Sequence, residues 1–287
     1  MFVGNGLLAG GLLRYRELRI RKELLVIAGL AVADALTGLG FIAAGINRVR
    51  YVLGGRDHEL VDSWSCMARL HSWLFLLGNQ IGALMLLCVS IDRFIACAFP
   101  LNYFGYTDTY GKRLVGAFYL FGFASAICCV FASYFHERRA EFSILCLIYG
   151  AIGSPIFGTY HFLLKTTTSG LSVALYLAIP YVYAKKKLMK TLGISAAITF
   201  FTAFCGNLFR ALFSDLMGPL RPLLSPYASV VANFNNLANP VLFWWKLDDA
   251  RDGLFSLLTL QKHLKKTKTT LKRVVRAGGN GQQGKQI

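Results

Sequence analysis

The chain has 287 residues, 55% of them hydrophobic and only 16% charged, an apolar share above that of a soluble globular domain and in keeping with a membrane protein. Its formal net charge is +17, yet the basic residues flank apolar runs and form no patch interleaved with exposed aromatics, which argues against a nucleic-acid partner. Membrane lipids with anionic headgroups match them better.

A bilayer core about 30 Å thick takes roughly 20 apolar residues in helical form. The first run, residues 1–13 (MFVGNGLLAGGLL), would extend only about 20 Å as a helix. It reads as the inner half of a first span, with an upstream piece expected. It lacks a basic leader, and Arg14, Arg16 and Arg19 follow it, which is the reverse of a signal peptide. Clear spans follow at residues 24–46, 67–91 and 114–135. Residues 144–164 are apolar as well, but carry Gly150, Gly153, Pro155 and Gly158. Counting them as a span would place Lys185, Lys186, Lys187 and Lys190 outside, against the tendency of basic loops to stay in the cytoplasm. They are therefore expected to form an outer loop. Further spans are expected at 166–184, 192–213 and 227–245.

The resulting fold class is an all-α membrane protein: a seven-helix bundle with an incomplete first helix, a seven-transmembrane domain over residues 1–264. After Trp245, Leu247, Leu254, Phe255 and Leu258 share one face of a helix over about 247–260, expected to lie on the inner membrane surface. Residues 265–287 are basic and poor in large apolar groups, so they read as a disordered cytoplasmic tail. The seven cysteines show neither a CxxC pair nor zinc spacing. Most lie within apolar runs, whereas Cys66 and Cys146 stand beside loops.

Polar side chains at membrane depth are costly, and each needs a partner or a function. Asn5 lies in the first run, Asp34 midway along the second helix in LAVADAL, and Asp92 and Arg93 at the end of the third. The seventh holds NFNNLANPVLF, with Asn233, Asn235, Asn236 and Asn239 ahead of Pro240. Asn235 and Asn239 are one turn apart and present amides to one side, and Pro240 frees a backbone carbonyl one turn back. A hydrated cluster with Asp34 would follow; the alternative is that these groups only satisfy one another.

Together, GN in the first helix, LAVAD in the second, DRF ending the third with a proline seven residues on, and NPVLF in the seventh resemble the rhodopsin-like G-protein-coupled receptors. Within them, MLLCVSIDRFIACAFPLNY is most similar to the nematode serpentine chemoreceptors of class SX. The resemblance implies a receptor that binds a small external ligand and signals through a heterotrimeric G protein, and not an enzyme. It implies a multi-pass protein of the plasma membrane. Asp92, Arg93 and Phe94, with Asn239, Pro240 and Phe243, would form the activation switch and G-protein contact. Asn5, Asp34, Asn235, Asn236 and Asn239 would form the intramembrane polar network; no cofactor is expected, except that a sodium ion could sit near Asp34. Cys66 and Cys146 match the family's disulfide. Asn79, Asn207 and Arg210 stand in outer halves of helices and could line the ligand pocket, although helix packing explains them as well. His58, His71, His136 and His161 show no ligand spacing.

The chain also departs from the family pattern. The sixth helix has FFTAFCGN in place of Cys-Trp-any-Pro, the fourth lacks its tryptophan, the inner end of the sixth (Met189, Lys190, Thr191) has no acidic residue, and the KKKLMK connector is short. A decayed receptor is thus one alternative. A transporter or channel is another, but it would predict paired broken helices or a repeated half. The orientation has a direct test. Glycosylation tags near Leu53 and Arg138 should be modified and a tag near Lys187 should not; modification at Lys187 would reverse the topology.

Overall fold

A computed structural model describes residues 1–135, 142–146 and 155–182, together with positions 201, 205, 234, 236–238, 240 and 241. The described part is built of α-helices. Helix α1 spans Phe2–Arg14 and α2 Arg16–Arg19; α3 spans Lys22–Leu53. A two-residue strand β1 (Leu60–Val61) precedes the short helix α4 (Ser63–Met67), and α5 follows at Leu70–Ala98. Helix α6 covers Pro100–Gly105 and α7 Asp108–Phe135. Strand β2 (Phe142–Ser143) precedes α8, Pro155–Val182. The spans expected at 192–213 and 227–245, the surface helix and the tail lie outside the described residues.

Among the described residues α3, α5 and α7 are long and apolar enough to cross a membrane. Helix α5 is the hub, packing on α3, α7 and α8, while α1 lies against α3. Because the surroundings are apolar, large side chains need not turn inward. On α7, Leu120, Phe121, Phe131 and Phe135 face outward, whereas Gly122, Ser125, Ala126 and Cys129 are buried. Small residues at the contacts let helices approach closely, as expected where van der Waals packing drives association. At Gly78, a Cβ would lie 2.7 Å from the backbone nitrogen of Thr37. The α3–α5 contact therefore requires glycine there. Helix α7 has no tryptophan; the Tyr119 hydroxyl ties it to α3 by donating to the Gly29 carbonyl at 2.7 Å.

Several helix limits differ from the sequence expectation. Helix α3 runs seven residues beyond Ile46 at its outer end. The third span is broken near its start: α4 ends at Met67, Arg69 is extended (φ −78°, ψ 141°), and α5 begins at Leu70. Cys66 thus belongs to α4, whose first turn is capped by the Asp62 carboxylate accepting from the Ser65 amide at 3.3 Å. Asp92 and Arg93 do not end the third helix, which continues through Ala98 until Phe99 and Pro100 redirect the chain into α6. Residues 155–164, expected in a loop, are the outer end of α8. Proline at the first helical position is compatible with a helix start, so Pro155 can open α8.

The outer loops form a small cap. Leu60 pairs with Ser143 and Val61 with Phe142, antiparallel. Cys66 and Cys146 form a disulfide across 80 residues of sequence, buried with Val61 and Phe142 packed on it. Arg69 Nη1 donates to the Ile144 carbonyl at 2.6 Å and Arg48 Nε to the Leu145 carbonyl at 3.3 Å. These contacts hold Cys146 at φ +47°, in the left-handed region that L-residues rarely enter. Peptide mapping without reduction should recover the linked Cys66 and Cys146 peptides. Replacing either cysteine by serine should lower thermal stability by about 2–4 kcal/mol; free thiols in folded protein would contradict the cap.

Candidate functional site

Near the C-terminal end of α5, Asp92 is fully buried and Arg93 is largely buried beside it. Adjacent residues on a helix do not face each other. Consistent with this, Arg93 Nε lies 3.8 Å from Asp92 Oδ2, an ion-pair distance too long for a hydrogen bond. The hydrogen bond to the acid comes from elsewhere: Tyr103 of α6 donates its hydroxyl to Asp92 Oδ1 at 3.0 Å. Burial, with the Asp92 carboxylate beside it, holds the Tyr103 phenol well above its ordinary range, so it remains a donor. Arg93 Nη2 reaches the Glu23 backbone carbonyl at 3.4 Å. Phe94 is half-buried next to the pair.

Lys22 joins this junction from the first turn of α3. Its ammonium donates to the carbonyls of Tyr103 and Tyr106, the latter at 2.8 Å, and sits 4.0 Å from the centre of the Tyr103 ring. A cation at the carbonyl end of a helix satisfies groups that have no partner within it. Lys22 therefore fastens the loop helix α6 to α3, and Tyr103 fastens it to α5. Neither residue stands out in the sequence by type. Their signal is positional: a lysine opening the second long helix, and a tyrosine three residues after a proline turn.

In the bundle interior, Asn5 is fully buried and its Nδ2 donates to the Asn236 carbonyl at 2.8 Å. Pro240 packs 3.6 Å from where a Cβ on Gly4 would lie. Asn5 and Asn236 thus meet through a backbone carbonyl. Asp34 is buried on α3, facing α5 at Gly82, where a Cβ would lie 3.7 Å from its Oδ1. Asn235, Asn239, Phe243, Asn207 and Arg210 lie outside the described residues.

In the outer half, Asn79 is oriented by its own bond to the Phe75 carbonyl, 2.8 Å, and accepts from Lys165 Nζ of α8 at 2.8 Å. Sequence reasoning passed over Lys165, because it sat at the seam between an expected loop and an expected span. A cation at bilayer depth costs about 2.5–3.5 kcal/mol on insertion scales. That cost, borne by the one Lys, Arg, Asp or Glu in the sequence of α8, was the available signal.

The profile of the serpentine type 7TM GPCR chemoreceptor Srsx family matches residues 2–258. The chain belongs to this family. It is a multi-pass membrane receptor chain, and its helices and disulfide accord with that assignment. It is also 32% identical over 100 residues to trace amine-associated receptor 365 of Petromyzon marinus, a match covering 35% of this chain and 25% of that receptor. The match therefore spans about a quarter of that relative's length.

The inner junction makes a stability prediction. Tyr103→Phe leaves the buried Asp92 without its hydrogen-bond donor and should cost about 1–3 kcal/mol, read as a lower melting temperature of the purified receptor. Tyr106→Phe should be near neutral, since Lys22 uses the Tyr106 carbonyl and not its hydroxyl. Equal losses in both variants would remove Tyr103 from the junction.

Proposed function

We propose that the protein is a chemosensory receptor of the plasma membrane, in which a small external ligand shifts a two-state helix bundle toward a form that engages a heterotrimeric G protein. The observation that carries this reading is the Asp92–Arg93–Tyr103 junction at the inner mouth of the bundle. In the resting form Tyr103 holds the Asp92 carboxylate, and Arg93 is kept by the nearby negative charge and by the Glu23 carbonyl. Both Arg93 contacts are long, 3.8 and 3.4 Å, so a modest movement of α5 against α3 releases the guanidinium. A charge-assisted pair at a water boundary is suited to such a switch. Phe94, Asn239, Pro240 and Phe243 complete the coupling surface and the hinge in this reading.

Asp34 and Asn5 would contribute oxygen to a sodium ion. The Asn5 Oδ1 atom is buried and has no hydrogen-bond partner among the described residues, and the Asp34 carboxylate is the charged donor such an ion takes. The ion would neutralise a buried acid; no step of the switch is routed through it. The competing reading, a transporter or channel, gives Asp92 and Arg93 no separate roles.

The test compares Asp92→Asn and Arg93→Ala for surface level, basal and stimulated G-protein activation. Asp92→Asn should raise basal activation several-fold, and Arg93→Ala should abolish activation while ligand binding persists. Normal activation by Arg93→Ala at equal surface level would refute the switch. Equal misfolding of both variants would mark a structural ion pair.

A further inference from the structure

Of the three described helices able to cross a membrane, α7 is the least covered by the rest of the described structure. Ala117, Leu120, Phe121 and Ala124 are all exposed on it, at the spacing of a single outward stripe. Arg113, one turn before Ala117 and also exposed, continues that stripe toward the start of the helix. From Arg113 to Ala124 is about 16 Å of helix, close to half of a hydrocarbon core about 30 Å thick. The stripe thus matches the depth of one leaflet, with Arg113 at its rim.

At that rim lies a groove of about 540 Å³ between the end of α6 and the first turns of α7, with Tyr106, Thr107, Tyr110, Arg113, Leu114 and Ala117 on its walls. The Tyr106 and Tyr110 rings stack with their centres 4.8 Å apart, and Lys22 holds the Tyr106 carbonyl at 2.8 Å, so the groove is formed before anything enters it. Along α7 its lining passes from Arg113 to Leu114 and Ala117, from charged to apolar. That gradient fits an amphiphile lying along the helix. The charges nearby decide its headgroup. Asp108 is engaged by Lys112, whose Nζ donates to its Oδ2 at 2.6 Å, whereas the Arg113 side chain makes no hydrogen bond, ion pair or ring contact among the described residues. A guanidinium offers a phosphate two donors in one plane. A headgroup with net negative charge gains from it; a zwitterionic one brings its own ammonium toward Arg113 and Lys112 and gains less.

We propose that this groove is a binding site for an anionic glycerophospholipid, with the phosphate on Arg113 and one acyl chain along Ala117, Leu120, Phe121 and Ala124. The site needs only that α7 crosses the membrane, so it stands or falls apart from the reading of the Asp92–Arg93–Tyr103 switch.

The experiment is native mass spectrometry of the purified full chain in a neutral detergent, titrated with palmitoyl-oleoyl phosphatidylglycerol and, separately, with the phosphatidylcholine of the same chains. One phosphatidylglycerol should stay bound at concentrations where phosphatidylcholine does not. Arg113→Gln should weaken phosphatidylglycerol at least about fivefold, the scale of one basic residue's attraction to an anionic headgroup, and leave phosphatidylcholine unchanged. Ala117→Trp fills the apolar part of the groove with the charge intact and should weaken the lipid as well. Arg50→Gln removes an exposed cation about 42 Å along α3 from Lys22 and should change nothing. Equal losses in Arg113→Gln and Arg50→Gln, equal retention of the two lipids, or displacement of the lipid by glycerol 3-phosphate alone would overturn the site. Unchanged lipid binding in Arg113→Gln together with lost G-protein activation would overturn it too, and give the groove to the protein partner.

Discussion

Hydrocarbon cannot hydrogen-bond, and that constraint governs where the described polar side chains of the bundle find their partners. Such groups are turned inward and matched across helices: Asn5 to the Asn236 carbonyl, Tyr119 to the Gly29 carbonyl, Lys165 to Asn79. Ser90, Ser133 and Ser172 instead return to carbonyls one turn back on their own helix, a local solution that leaves no group orphaned. The bundle is therefore held by close packing of small residues and by a limited set of polar ties. Helix α5 takes part at each level, through Gly78 against Thr37, Asn79 against Lys165, and Asp92 with Tyr103.

The two ends of α5 are fastened differently. At the outer end a disulfide, a two-residue strand pair and two arginine-to-carbonyl bonds tie α4, β1 and β2 into one unit. A covalent bond and charged donors make this end stiff. At the other end Lys22 makes two bonds to the carbonyls of Tyr103 and Tyr106, Tyr103 makes one bond to Asp92, and the ionic contact of Arg93 is long. An arrangement stiff at one end and held by a long ionic contact at Arg93 at the other fits the proposed switch, in which one end admits a ligand and the other opens.

The departures from the family pattern also acquire physical meaning. The fourth helix has no tryptophan, but Tyr119 supplies a hydrogen bond to α3. Arg93 has no acid at the inner end of the sixth helix in sequence, but it finds the Glu23 carbonyl of α3. The restraint on the inner mouth thus runs from α5 to α3 and α6.

Much was legible in the sequence alone because membrane burial leaves a strong local signature. Long apolar runs, the isolated Asp34, Asp92 and Arg93, and the cysteines beside loops follow from the cost of placing polar or charged groups in hydrocarbon, a cost each residue incurs wherever its partners lie. Partners and helix ends were decided only by tertiary structure. Tyr103 on Asp92, Lys22 on the carbonyls of α6, and Lys165 on Asn79 join residues 11 to 86 positions apart, and no local pattern encodes which of many polar groups will meet. The break between α4 and α5, beside the Cys66 disulfide and Arg69, depends in the same way on the cap. Local chemistry determined which residues had to be accommodated; the packed bundle determined by whom.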